Sequence, residues 1–141
     1  MTTVDTNGKA NVATVAEVFN VSIAKPVVIG IAIRPATYTY ELVKQSGEFV
    51  VNLTDASLLA KVDRCGSVSG RSGTDKFARF GLTRLPAARV APPLIEECPV
   101  NIECTVRSIQ TVGDHDLVLG DVVAMHVDRD KVDGQGKVIT G

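Results

Sequence analysis

A chain of 141 residues is about the size of one ordinary domain and can bury a sizeable core. Its 45% hydrophobic and 22% charged residues match globular chains and exclude disordered and fibrous classes. A formal net charge of −1 removes the electrostatic case for nucleic acid or an anionic membrane as partner.

In chain order, MTTVD, the turn TNGK and ANVATVAEV predict a hairpin, with Asn7-Gly8 in the positive-φ positions of a type I′ turn. PVVIGIAI, after Lys25, is β-branched and predicts a strand buried on both faces. RPATYTYELVKQSG changes to helical spacing, with Thr37 or Thr39 as the cap and Ser46-Gly47 as the stop. EFVVNLT returns to strand character. DASLLAKVDRCG predicts a helix capped by Asp55, with an apolar stripe at Leu58, Leu59 and Val62. DKFARFG predicts another short helix, capped by Thr74 or Asp75 and stopped by Gly81.

Residues 82–97, around LPAARVAPPL, predict an extended crossing segment over the surface. VNIECTVRSI alternates Val100, Ile102, Cys104 and Val106 against Asn101, Glu103, Thr105 and Arg107, the period of a half-buried antiparallel strand. GDH turns the chain, and HDLVLGDVVAMHVD returns as a long strand bent at Gly120. The tail DKVDGQGKVITG is polar and turn-rich. Many strands and few helices predict a mainly β, antiparallel barrel or sandwich with short helical insertions.

No apolar run approaches the ~20 residues of a membrane span, and MTTVDTNGK lacks a signal-peptide pattern, so a cytoplasmic protein is expected. Cys65, Cys98 and Cys104 form neither CxxC nor Cys/His ligand spacing, so they are expected as reduced core residues with no metal site. No GxSxG, HExxH or EF-hand motif points to hydrolysis or metal chemistry.

Chemistry-bearing residues gather in four places. CGSVSGRSGTDKF, residues 65–77, offers hydroxyls and amides beside Arg71 and Lys76, with a helix start behind them. Such a loop can hold an anion, or it can be a flexible connector with solvated cations. RPATYT, residues 34–39, is a second cluster of this kind, or ordinary helix capping. Asn11 and Thr14 are small polar residues on a strand where a flat ligand can lie against the backbone. His115, beside Asp114 in GDHDL, is either a surface turn residue or an imidazole of fixed tautomer serving a ligand or a proton transfer. His126 reads as a strand residue.

In the order NVATVAEV, IRPATYTYELV with GEFVVNL, CGSVSGR followed by DKF, APPLIEECPVNIEC and GDHDLVLGDVVAMHVD, the chain resembles the flavin reductase-like, FMN-binding split-barrel family that includes flavoredoxins. The resemblance runs from about Asn11 to Asp128. It implies an antiparallel Greek-key split barrel over 1–128, binding FMN near the interface of a homodimer, with 129–141 as a polar C-terminal tail. It also implies a start inside the first barrel strand and an end before the family's usual C-terminal segment.

By the resemblance, Asn11, Thr14 and Ala16 lie along the flavin ring. Arg34, Tyr38 and Thr39, with Ser69, Gly70, Arg71 and Lys76, surround the ribityl chain and phosphate. Asp114 and His115 match the motif near the NADH or NADPH donor. Glu17 stands where family members commonly carry Trp, and Thr37 where a basic residue is common. The implied function is an NAD(P)H-dependent flavin oxidoreductase or flavoredoxin-like electron carrier, with a redox partner protein or an oxygenase as recipient. The alternative is a non-enzymatic FMN-binding or flavin-delivery protein.

Overall fold

The computed structural model describes residues 1–139; Thr140 and Gly141, at the end of the expected tail, lie outside the described residues. The elements in chain order are β1 (Thr2–Val4), β2 (Ala10–Val12), β3 (Val18–Ser22), β4 (Val28–Ile33), α1 (Tyr38–Ser46), β5 (Glu48–Leu53), α2 (Leu59–Ser67), α3 (Lys76–Phe80), β6 (Arg84–Leu85), β7 (Leu94–Ile95), β8 (Val100–Val112) and β9 (His115–Val127). Seven strands form one antiparallel sheet in the order β2-β1-β5-β8-β9-β4-β3, while β6 and β7 pair separately.

Strands β2 and β3 are the two edges of that sheet, yet only residues 13–17 separate them. So short a stretch spans at most on the order of 20 Å. The sheet must therefore curl until its edges approach, without ladder hydrogen bonds closing them. The fold is an antiparallel Greek-key split barrel with short helical insertions.

Its interior holds Ile29, Ile31 and Ile33 of β4, Tyr40 and Val43 of α1, Phe49 and Val51 of β5, Cys104 and Val118. Gly120 is required here, because a Cβ at that position would stand 2.6 Å from the Phe49 ring and 3.1 Å from Cys104 Cβ. A second cluster, Val12, Leu58, Cys65, Phe77, Phe80, Ile95 and Cys98, fastens α2 and α3 to the β2 edge. All three cysteines are buried and free. Burial raises their thiol pKa values, to about 11 at Cys98 and about 12 at Cys104. No helix among the described residues is long and apolar enough to cross a membrane.

Four local expectations need correction. The first hairpin has no type I′ turn, since Gly8 alone of the pair has positive φ, at 79°. The Asp5 carboxylate accepts the N–H groups of Asn7 and Lys9, each at 2.8 Å, and so stabilises a different loop. Second, ANVATVAEV is not one strand: β2 ends at Val12, 13–17 is irregular, and β3 follows. Third, residues 82–97 form the small β6–β7 ribbon at their ends instead of remaining wholly irregular.

The fourth correction concerns the expected solvent face of β8. Asn101 and Glu103 are 6% and 0% exposed because the segment 82–97 lies over them. Backbone in an irregular segment has few ladder partners and must find others. The Glu103 carboxylate accepts N–H from Ala88, Arg89 and Val90 at 2.8, 2.6 and 3.2 Å. Asn52 accepts the Ile95 N–H at 3.2 Å, and Asn101 donates to the Ile95 carbonyl at 3.1 Å. Val90 and Leu94 pack on Val50, forming a third, outer cluster.

Burial by itself raises the Glu103 pKa, but the Ala88 N–H, His126 and the Arg89 N–H outweigh it, leaving the net value below the ordinary one. Stabilisation from a depressed carboxylate is complete above its unfolded pKa and is lost as pH falls through the folded value. Glu103→Gln should cost about 3 kcal/mol near neutral pH, since it breaks a buried charged anchor. It should also flatten the acid limb of the stability curve. Urea unfolding between about pH 7 and about pH 3 checks both.

Candidate functional site

Where the barrel is split, a cavity of about 370 Å³ opens between the 11–15 stretch, the start of α1 and the loop after α2. Asn11, Thr14, Tyr38, Thr39, Ser69, Gly70, Arg71 and Lys76 all line it. Thr37 caps α1, accepting the Tyr40 N–H at 3.2 Å, and this brings Tyr38 and Thr39 to the helix start at the cavity wall. The amides of a first helical turn have no intrahelical acceptor. The turn Gly70–Ser72 is capped by Ser69, whose Oγ accepts the Arg71 N–H at 3.2 Å. The Ser69 O–H remains available to a ligand.

Other polar groups are already engaged within the protein. Thr14 Oγ1 donates to the Val62 carbonyl at 2.5 Å, and Ser67 to the Arg64 carbonyl at 2.9 Å. Arg71 lies across the mouth, paired with Glu41 at 2.8 Å and 5.4 Å from the Tyr38 ring centroid. Lys76 is 3% exposed, and its ammonium donates to the carbonyls of Val12 and Cys65 at 2.7 and 3.1 Å. Burial lowers its pKa, and Cys65 offsets this in part. The expected helix start behind the loop is not an anion site, because Asp75 already accepts the N–H groups of Phe77 and Ala78 there.

Ala16 lies elsewhere, on a largely apolar cavity of about 310 Å³ lined also by Val51, Leu58 and Ile95. Ala13, Thr14, Val15 and Cys65 are shared walls of the two cavities. Arg34 lines neither cavity, but its charge helps hold the Asp114 carboxyl low.

The family model for the flavin reductase like domain matches residues 1–138. This chain belongs to the flavin reductase-like family. It is 36% identical over 129 residues to an uncharacterized protein of Archaeoglobus fulgidus, covering 92% of this chain and 71% of that one. It is 29% identical to the NADH:riboflavin 5′-phosphate oxidoreductase of Streptomyces pristinaespiralis, covering 87% and 66%. The flavoredoxin of Desulfovibrio vulgaris superposes with a TM-score of 0.88 at 26% identity, covering 98% of this chain and 73% of that one. The chain thus spans only part of its relatives' length, and 62% of one from Pyrococcus abyssi.

In this flavin reductase-like chain the GDH motif sits outside the main cavity. Gly113 and Asp114 form the loop joining β8 to β9, and Val112 pairs with His115. His115 Nδ1 lies 2.9 Å from Asp114 Oδ1. A carboxylate only accepts, so Nδ1 carries a proton in this contact. The His115 hydrogen bond lowers the Asp114 pKa first, with His115 charge and Arg34 adding to it. The next residue, Asp116, pairs with Ile33 on the cavity wall and accepts the Tyr40 hydroxyl.

Sequence reading missed several lining residues, namely Val15, Ile33, Ala36, Gly66 and Val68. All are apolar or lack a side chain, so no chemical signal marks them.

Gly70 tests the site's packing. A Cβ there would fall 2.0 Å from Asn11 Oδ1 and 3.2 Å from the Tyr38 ring. Asn11 can rotate away, which spares the fold but moves a cavity-facing amide. Gly70→Ala should therefore cost at most about 2 kcal/mol of stability while weakening binding of a cavity ligand roughly tenfold. Thermal unfolding and ligand titration on one preparation separate the two effects.

Proposed function

We propose that this chain is an FMN-binding, NAD(P)H-dependent flavin oxidoreductase or flavoredoxin-like electron carrier, acting in the cytoplasm as a homodimer. The observation that carries the reading is the donor set of the 370 Å³ cavity. A free Ser69 hydroxyl, the Tyr38 and Thr39 amides at the start of α1, and one accessible guanidinium on Arg71 suit a phosphorylated polyol. Asn11 and the 13–15 backbone suit the polar edge of a flat ring. Flavin, when bound, supplies hydride and electron transfer, and the protein's part is to bind and orient it.

Within this reading Arg71 pairs with phosphate in place of Glu41, and His115 positions the nicotinamide donor, its tautomer held by Asp114. The recipient of electrons is a redox partner protein or an oxygenase. Dimerisation is supported by the β3 edge, where Phe19, Val21 and Ile23 are 45%, 49% and 84% exposed. An unpaired edge with this much apolar surface is suited to cover by a second copy.

Two measurements test the reading. FMN should bind more tightly than riboflavin, and Arg71→Gln should weaken FMN by roughly threefold to tenfold while leaving riboflavin unchanged, a range kept small by the exposure of the site. Equal affinities of the wild type for both ligands would remove the phosphate site. His115→Ala should slow NAD(P)H-driven flavin reduction by at least roughly tenfold with FMN affinity nearly constant. Stopped-flow absorbance measures the rate, and no reduction by either protein would favour the non-enzymatic flavin-binding alternative.

A further inference from the structure

The resemblance casts Lys76 as a cation for phosphate, but its surroundings describe another task. At 3% exposure it is buried, and two of its three N–H donors are consumed by backbone carbonyls. The first acceptor, Val12, ends β2 and lies between the cavity residues Asn11 and Ala13. The second, Cys65, lies in the last turn of α2, beside Gly66 on the opposite wall. One ammonium on α3 thus holds both sides of the cavity.

Two further contacts join these same walls, and both depend on their separation. Thr14 Oγ1 donates to Val62, and a Cβ on Gly66 would stand 3.2 Å from Thr14 Cβ. Asn11 Oδ1 occupies the space beside Gly70. Neither contact carries charge, and each is a direct link between the walls, not a bridge from a third element as Lys76 on α3 is. Arg71, by contrast, is exposed at the mouth, its side chain 55% accessible.

Resting on the flavin reading above, we propose that Lys76 is a positioning residue: it fixes the spacing between the 11–15 wall and the 66–71 wall, and Arg71 alone of the two cations meets the phosphate. A methionine of similar length cannot donate to the two carbonyls, which become buried and unpaired. The walls then lose their common anchor, and every ligand that touches both is affected, phosphorylated or not. A direct phosphate contact, by contrast, affects FMN alone.

The experiment titrates wild type and Lys76→Met with FMN and with riboflavin, monitoring flavin fluorescence. The expected result is a loss of at least roughly tenfold for both ligands by the same factor. Saturated mutant should also show an altered visible circular dichroism band of the bound flavin with an unchanged far-ultraviolet spectrum. Loss confined to FMN, or no loss, overturns the proposal. A second measurement needs no mutant and decides the matter if Lys76→Met does not fold. In wild type, the Nζ resonance of Lys76 should respond identically to riboflavin and FMN, and a displacement seen only with FMN overturns the positioning role. Wild type that binds neither flavin overturns the proposal and the parent reading together, which the single-mutant outcomes do not.

Discussion

The short stretch 13–17 has to reach from one edge of a seven-stranded sheet to the other, and this reach governs the architecture. Twist alone does not bring the ends of an open sheet together. A covalent tether of this length does, and the barrel interior is what the approach encloses. Because the tether is irregular, it also leaves the two edges unpaired at that point. Cavities lie on either side of it, one lined by more hydroxyl and charged side chains than the other, with Ala13, Thr14 and Val15 common to both. The site is therefore a product of incomplete closure, not a pocket carved into a finished barrel.

Within the site, polar composition and binding capacity are different quantities. The segment 65–77 is rich in hydroxyls, yet Ser67 donates to the Arg64 carbonyl of α2 and Ser72 to the Ser69 carbonyl of its own turn. Such local bonds satisfy a turn and rigidify it. They leave a small number of groups, Ser69 and Arg71 foremost, to meet a ligand. The same logic explains Asp75, whose carboxylate fills the positive end of α3 and also pairs with Arg84 at 2.9 Å. An anion is already in residence there.

How much of this was legible in the sequence differs by element. Helix α1 was readable because its signals are local: Thr37 at the cap, Gly47 at the stop and a buried stripe of Tyr40, Leu42 and Val43 between them. Strand β4 was readable from its β-branched run. Strand β3 was not, because Phe19 and Val21 sit on an exposed edge, and Asn20 between them is exposed as well. Glu103 misled for a different reason. Alternation marks which residues share a face, but not what covers that face, and its cover arrives from a segment without periodicity. Site residues with charge or hydroxyls could be named in advance. Which of them point at a ligand and which at a carbonyl, as Lys76 does, is decided by tertiary contacts that no spacing encodes.

The position of the β8–β9 hairpin in the chain has a consequence for synthesis. These two long strands stand at the centre of the sheet, β5 pairing with β8 and β4 with β9. They are also the last strands of the sheet to leave the ribosome. Until they emerge, β4 and β5 have no partner on the side that later faces them, and Ile29, Ile31 and Phe49 have no closed interior to enter. A nascent chain in this condition exposes unpaired strand edges and apolar side chains until β8 and β9 have been synthesised. The strand order thus delays closure of the barrel until β8 and β9 have emerged.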